Sequence, residues 1–175
     1  MESSAPNSDR PTLASTVGSI ATAIDKALSP GDVAALRRLA PDDASCAAYW
    51  RLVTMHPGLV SETGPLRDEV ERRWACILQA MATMAGLHSP SAPLGRAMAE
   101  ADVAEQRLLR LLRASSSSLA DAVRVTAHHL AQKAVPSNHL ELAQLVLSDG
   151  GPNEDAVRRR IARSYYAQTA KEARQ

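Results

Sequence analysis

The chain has 175 residues, 45% of them apolar and 22% charged, with a formal net charge of +1 at pH 7. That length and apolar content suffice for a buried core, in one compact unit or two small helical ones, and exclude a chain too polar to fold. The near-zero net charge limits any long-range electrostatic steering of a charged partner.

Residues 1–11 are polar and rich in Ser and Pro, without a charged-then-apolar leader. They read as a disordered tail on a cytoplasmic protein, and no run approaches the roughly 18 apolar residues that a membrane span needs. Beyond them helix signals recur and no run alternates with the period of two that marks a strand, so the expected fold is all-α with about nine helices. Leu13, Val17, Ile20, Ile24 and Leu28 form the first apolar stripe, which stops at Ser29-Pro30-Gly31-Asp32. There Ser29 reads as an N-cap, Pro30 as the first helical residue and Asp32 as its partner, opening a second helix through Leu39. Pro41-Asp42 is expected to open a third helix to about Met55, closed by His56-Pro57-Gly58. A fourth runs from about Pro65 to Leu87, with Leu66, Val70, Trp74, Ile77, Leu78 and Met81 on its inner face.

The stretch from His88 to Pro93 carries two prolines in four residues, which interrupt any helix. It is the expected linker, 89–93, between an N-terminal bundle, 12–88, and a C-terminal bundle, 94–175. A short helix then covers Leu94 to Glu100, and Asp102-x-x-Glu105 reads as the capping box of a helix ending near Ala114. Ser115 to Ser118 is a serine turn, and Ser118-x-x-Asp121 starts a helix that ends before Pro136. Asn138-x-x-Glu141 caps another, which ends at Asp149-Gly150-Gly151-Pro152, and the last helix starts near Asn153. No internal repeat emerges.

Constellations for catalysis are weak. Cys46 and Cys76 stand alone and read as buried free thiols. His128, His129 and His139 lack the spacing of a helical zinc site, and the serine run has neither a glycine elbow nor an evident base. Walker and dinucleotide fingerprints are missing from the sequence. No catalytic residue, metal or cofactor is therefore expected.

The arginines carry more information, since seventeen of the twenty basic residues are Arg. Six have an acidic residue three or four positions away on the same helix: Arg67 with Glu71, Arg72 with Asp68, Arg73 with Glu69, Arg96 with Glu100, Arg124 with Asp121 and Arg158 with Glu154. Arg37, Arg38, Arg51, Arg107, Arg110, Arg113, Arg160 and Arg163 have none. Because opposite charges at those spacings stabilise a helix by about 0.2–0.5 kcal/mol, eight uncompensated guanidinium groups point to a counter-charge on another molecule. Arg107, Arg110 and Arg113 form a ridge opposite Leu108, Leu109, Leu111 and Leu112. Two readings of that ridge stand: cations complementing a helix C-terminus, which fits Arg113 better than Arg107, or a surface that tracks phosphates with forked donors. Arg37, Arg38 and Arg51 would make a second basic area or simply a solvated face. Tyr165-Tyr166 stand either in the core or as a platform for bases.

The order of five segments resembles a known family. Gly31-Asp32-x-x-Ala35-Leu36-Arg37-Arg38, Tyr49-Trp50-Arg51-Leu52-Val53, Leu94-Gly95-Arg96-Ala97-Met98-Ala99, the run from Arg107 to Ala114, and Arg160-Ile161-Ala162-Arg163-Ser164-Tyr165-Tyr166 follow one another as in the CasB family. CasB is the small subunit of the type I-E CRISPR surveillance complex, Cascade. The resemblance implies two small helical bundles and a second copy of the chain as partner. It also implies contacts with the backbone and large subunits of Cascade, with the guide RNA complex, and with target and non-target DNA strands, and none with a membrane. Arg37, Arg38, Arg107 and Arg113 match basic positions of its motifs, with Arg51 and Arg110 as neighbours. The chain departs from many members in carrying Leu145-Val146-Leu147-Ser148 and Ile161 where a Trp is common.

Three rival readings remain at this level. A helix-turn-helix regulator would need a turn glycine leading into a base-reading helix, and no segment supplies it. A protein–protein adaptor would direct the arginines at acidic protein surfaces, and salt-dependent binding of single-stranded DNA separates it from the favoured reading. An enzyme of unknown type would show itself in a metal analysis and a nuclease assay.

Overall fold

Thr12 accepts a hydrogen bond from Ser15 N on its Oγ1 at 3.2 Å, which caps α1 (Leu13–Lys26). The protein is described from a computed structural model over residues 11–40, 43, 45–56, 59–60 and 65–174. Nine helices follow in chain order among these residues: α1, α2 (Pro30–Arg37), α3 (Ala47–Met55), α4 (Pro65–Thr83), α5 (Leu94–Glu100), α6 (Glu105–Arg113), α7 (Ser116–Gln132), α8 (His139–Leu147) and α9 (Glu154–Glu172). No strand occurs among the described residues, only an isolated bridge between His88 and Ser137, so the fold is all-α as expected.

The cap of α2 forms as its sequence dictates. Ser29 Oγ accepts from Asp32 N at 3.1 Å and donates to Asp32 Oδ2 at 2.9 Å, with Pro30 in the first turn, where its missing N–H costs nothing. Other boundaries differ from the sequence reading. Pro41 and Asp42, the expected start of α3, lie outside the described residues, as do Pro57 and Gly58, and α3 begins at Ala47. Helix α4 stops at Thr83, short of Leu87, because Gly86 adopts φ +78° and its N–H turns to Asp25 Oδ1 at 2.7 Å. Asp102 does not cap α6: its own φ is +56° and its carboxylate faces Lys133 at 3.3 Å. Helix α7 is capped one turn earlier than expected, by the reciprocal pair Ser115 and Ser118. Asn138 does cap α8, but Glu141 turns away to receive Leu94 N at 2.7 Å, serving the start of α5 instead.

Helix α4 is the hub, packing against α1, α2, α7 and α8, while α9 packs on α5, α6 and α8. Trp74, Ile77, Leu78 and Met81 of α4 are buried as expected, but Leu66 is 65% exposed. The buried side chains from Val17 to Tyr165 form one hydrophobic cluster, so the elements before and after 88–93 share a core. That connector is helix-free and is pinned to the loop before α8 by Ser89 N to Ser137 O, Ser137 N to Leu87 O and Asn138 N to Ala92 O. Both cysteines are buried free thiols, and burial pushes Cys76 up to about 12, which makes it a poor nucleophile.

The tightest helix contact is α5 on α9. A Cβ on Gly95 would overlap the Ile161 carbonyl oxygen and Ser164 Oγ and stand 2.8 Å from Tyr165 N. A second lock joins four elements through charge. Asp149 receives Ser116 N at 2.8 Å and faces Arg158 at 3.4 Å, while Arg158 also meets Glu154 at 2.7 Å and donates to Ala114 O at 2.7 Å. Arg73 adds bonds from α4 to the carbonyls of Leu147 and Asp149, both at 2.9 Å.

Candidate nucleic-acid interface

Helix α6 owes its orientation to two leucines. Leu108 and Leu111 are fully buried, which turns Arg107, Arg110 and Arg113 outward over a helix of only nine residues. Between α6 and α7 runs a cleft of about 680 Å³, lined by the apolar Leu109, Ala122 and Val125 and by the three arginines of α6. On its other flank α6 lies antiparallel to α9, because Tyr166 Oη donates to Glu105 Oε1 at one end while Arg158 reaches Ala114 O at the other. Arg159 and Arg163 are one turn apart on the exposed stripe of α9 that leads to Tyr166. The basic ridge of α6 and the arginines of α9 thus stand on adjoining helices.

The eight arginines separate once their partners are visible. Arg110, Arg113 and Arg163 are exposed and their side chains have no ion pair or hydrogen bond among the described residues, and the same holds for Arg38, the C-cap residue of α2. Arg107 is exposed but held, with Nη1 3.2 Å from His129 Nδ1. The premise of missing compensation fails for two others: Arg51 pairs with Asp32 at 2.8 Å and Arg160 with Glu141 at 3.3 Å. Both partners belong to other helices, out of reach of a rule that searches one helix at a time. Arg37 uses its Nε–H on Ala82 O at 2.9 Å, satisfying one of the last carbonyls of α4. Of the same-helix pairs, Arg67–Glu71, Arg73–Glu69, Arg96–Glu100, Arg124–Asp121 and Arg158–Glu154 all form, and Arg72 reaches Glu69 at 3.5 Å.

Arg37, Arg38 and Arg51 sit on α2 and α3, which pack on α4 and on each other, and so occupy a different region from the α6–α9 face. Tyr165 is a core residue whose hydroxyl donates to Val103 O at 2.6 Å, whereas Tyr166 is 41% exposed and spent on Glu105. The Glu105 carboxylate holds the Tyr166 hydroxyl above its ordinary range. Two side chains of this region escaped the sequence reading. His129 looked like any helical histidine, and Arg159, four residues after Asp155, meets that carboxylate only at 3.7 Å with both side chains more than 75% exposed. No group of three or more metal-ligating side chains assembles among the described residues.

The protein is a small all-helical one whose helices α6 and α9 carry exposed arginines. The family model of the CRISPR-associated protein Cse2 matches residues 32–166, and the chain belongs to that family, the CasB family to which its motifs point. The fold is similar to that of a chain in the crystal structure of E. coli Cascade bound to a PAM-containing dsDNA target, at 22% identity and a TM-score of 0.64, covering 88% of this chain and 96% of that one. No match to the sequence was found among curated proteins.

Proposed function

We propose that this chain is the small, non-catalytic subunit of a type I CRISPR surveillance complex, Cascade, and that its α6–α9 face braces the open R-loop in antiviral defence. The observation that carries this is the set of exposed guanidinium groups without acceptors among the described residues, Arg110, Arg113 and Arg163, on adjoining helices. Membership of the Cse2 family and a fold shared with a chain of a DNA-bound Cascade support the setting. An R-loop exchanges a DNA duplex for an RNA–DNA hybrid of similar stability, so a few backbone contacts of modest strength tip the balance. Arginine forks suit phosphate oxygens, release condensed counterions and read no base. Cytoplasmic partners follow: the backbone and large subunits of Cascade, its guide RNA, both DNA strands and a second copy of the chain. Arg38, Arg51, Arg37 and Arg160 join the path only where a partner competes with their present contacts, and Arg38 is the freest of them.

The test is R-loop lifetime in the reconstituted complex. Arg110→Ala combined with Arg113→Ala shortens it while the fold survives, since exposed substitutions shift stability by under about 0.5 kcal/mol. An unchanged lifetime contradicts the proposed role, and an unchanged lifetime with weakened subunit assembly identifies a protein–protein adaptor instead.

A further inference from the structure

His129 sits on α7 and lines the α6–α7 cleft, half-buried, and uses both ring nitrogens. Its Nε2 lies 2.8 Å from Ala101 O and its Nδ1 3.2 Å from Arg107 Nη1. A carbonyl only accepts, so the ring proton belongs on Nε2, which leaves Nδ1 as an acceptor for the guanidinium. The anchor is well held: Ala101 is fully buried just after α5, and the next residue, Asp102, holds φ +56° and pairs with Lys133, the C-cap residue of α7 one turn beyond His129. Arg107 is therefore the one member of the α6 ridge whose side chain is fixed before any ligand arrives, by a single N–H that leaves its other donors free. A pre-set guanidinium loses less rotamer freedom on meeting a phosphate than Arg110 or Arg113 does.

We infer that His129 is a positioning residue of the α6 basic face: the Ala101 carbonyl orients the imidazole, and the imidazole orients Arg107 toward the phosphate path. This rests on the proposed strand-bracing role. The occupant in mind is the sugar-phosphate backbone of a single strand, and His129 itself touches no ligand.

The experiment is a double-mutant cycle on binding of a labelled oligothymidylate to the full chain at fixed salt. His129→Leu, which removes both ring functions, weakens binding by about threefold in the wild-type background and leaves it unchanged in an Arg107→Ala background. His129→Gln, which offers an N–H to Ala101 and an oxygen to Arg107, restores binding to near wild type. Should His129→Leu fail to fold, ring ¹⁵N shifts of the wild-type histidine decide: the Nε2–H tautomer is expected, with an Nδ1 resonance that moves on Arg107→Ala. Equal losses from His129→Leu in both backgrounds, an Nδ1–H tautomer or an unmoved Nδ1 overturn the inference while the bracing role stands. No binding loss from either Arg107→Ala or Arg110→Ala removes the bracing role itself.

Discussion

A guanidinium carries five N–H donors in a planar fork, and a carboxylate one helical turn away satisfies two of them at most. What fills the rest decides what an arginine is for. Arg158, with a side chain only 16% exposed, spends its fork on Glu154, Asp149 and Ala114 O, and is structural. Arg110, Arg113 and Arg163 face water and remain available. The same accounting applied to histidine yields a pH prediction. His139 is 2% exposed, both ring nitrogens lack partners among the described residues, and its ring lies 4.8 Å from that of His88. Burial, with His88 adding, lowers its pKa from 6.5 to about 3, and burial also lowers His88, against the opposing pull of Asp25. Between about pH 6.5 and 3 the unfolded chain binds a proton at His139 that the folded chain refuses, so stability falls as pH falls through that window. The slope reaches about 1.4 kcal/mol per pH unit for this one group. Urea unfolding at pH 7 and pH 5 should show a smaller acid loss in His139→Leu than in the wild type; equal losses would contradict it. At this scale five same-helix pairs form as read, because i±3 and i±4 geometry is local, while Arg159 with Asp155 went unread, and Asp32 with Arg51 and Glu141 with Arg160 were missed because those partners arrive through folding.

Helix starts show the same division between local and tertiary control. The Ser29-Pro30-Asp32 cap needs nothing beyond its own four residues and forms as read. Glu141 lies three residues after Asn138 in a capping-box pattern, yet a packed neighbour offered it a buried N–H at Leu94 and a guanidinium at Arg160, and the tertiary partners won. Gly95 belongs to a motif whose helix, Leu94–Glu100, was legible to the residue, though nothing in the sequence stated that α9 backbone would press against it. Gly95→Ala should destabilise the fold by at least about 2 kcal/mol, because the obstruction is backbone rather than a flexible side-chain end. That corresponds to a fall in Tm of roughly 4 °C or more for a chain of this size. A melting temperature within a degree of wild type would show that α5 and α9 part more easily than their contact implies.

Across the whole molecule, helix content was fixed by period and punctuation, while the path of the core was not. The prolines of 88–93 mark an interruption, but the packing of α4 on α7 and α8 depends on side-chain shapes far apart in the chain, which no local pattern reports. The same holds for the basic residues: that Arg159 and Arg163 stand on a helix adjoining the ridge of α6 follows from α9 lying antiparallel beside it, which no single motif reports. A net charge of +1 means that the proposed phosphate contacts would operate at contact range, within a Debye length, rather than by long-range attraction. The central claim is that the α6–α9 face holds phosphates without regard to sequence. A salt titration of target binding by the reconstituted complex tests it most directly, comparing wild type with Arg110→Ala/Arg113→Ala on two targets of unrelated sequence, each with its matched guide. The account predicts equal losses on both targets and a log-affinity against log-salt slope shallower by about 0.7–0.9 per lost contact. An unaltered slope, or a loss of roughly 1–3 kcal/mol confined to one target as a base reader would give, contradicts it.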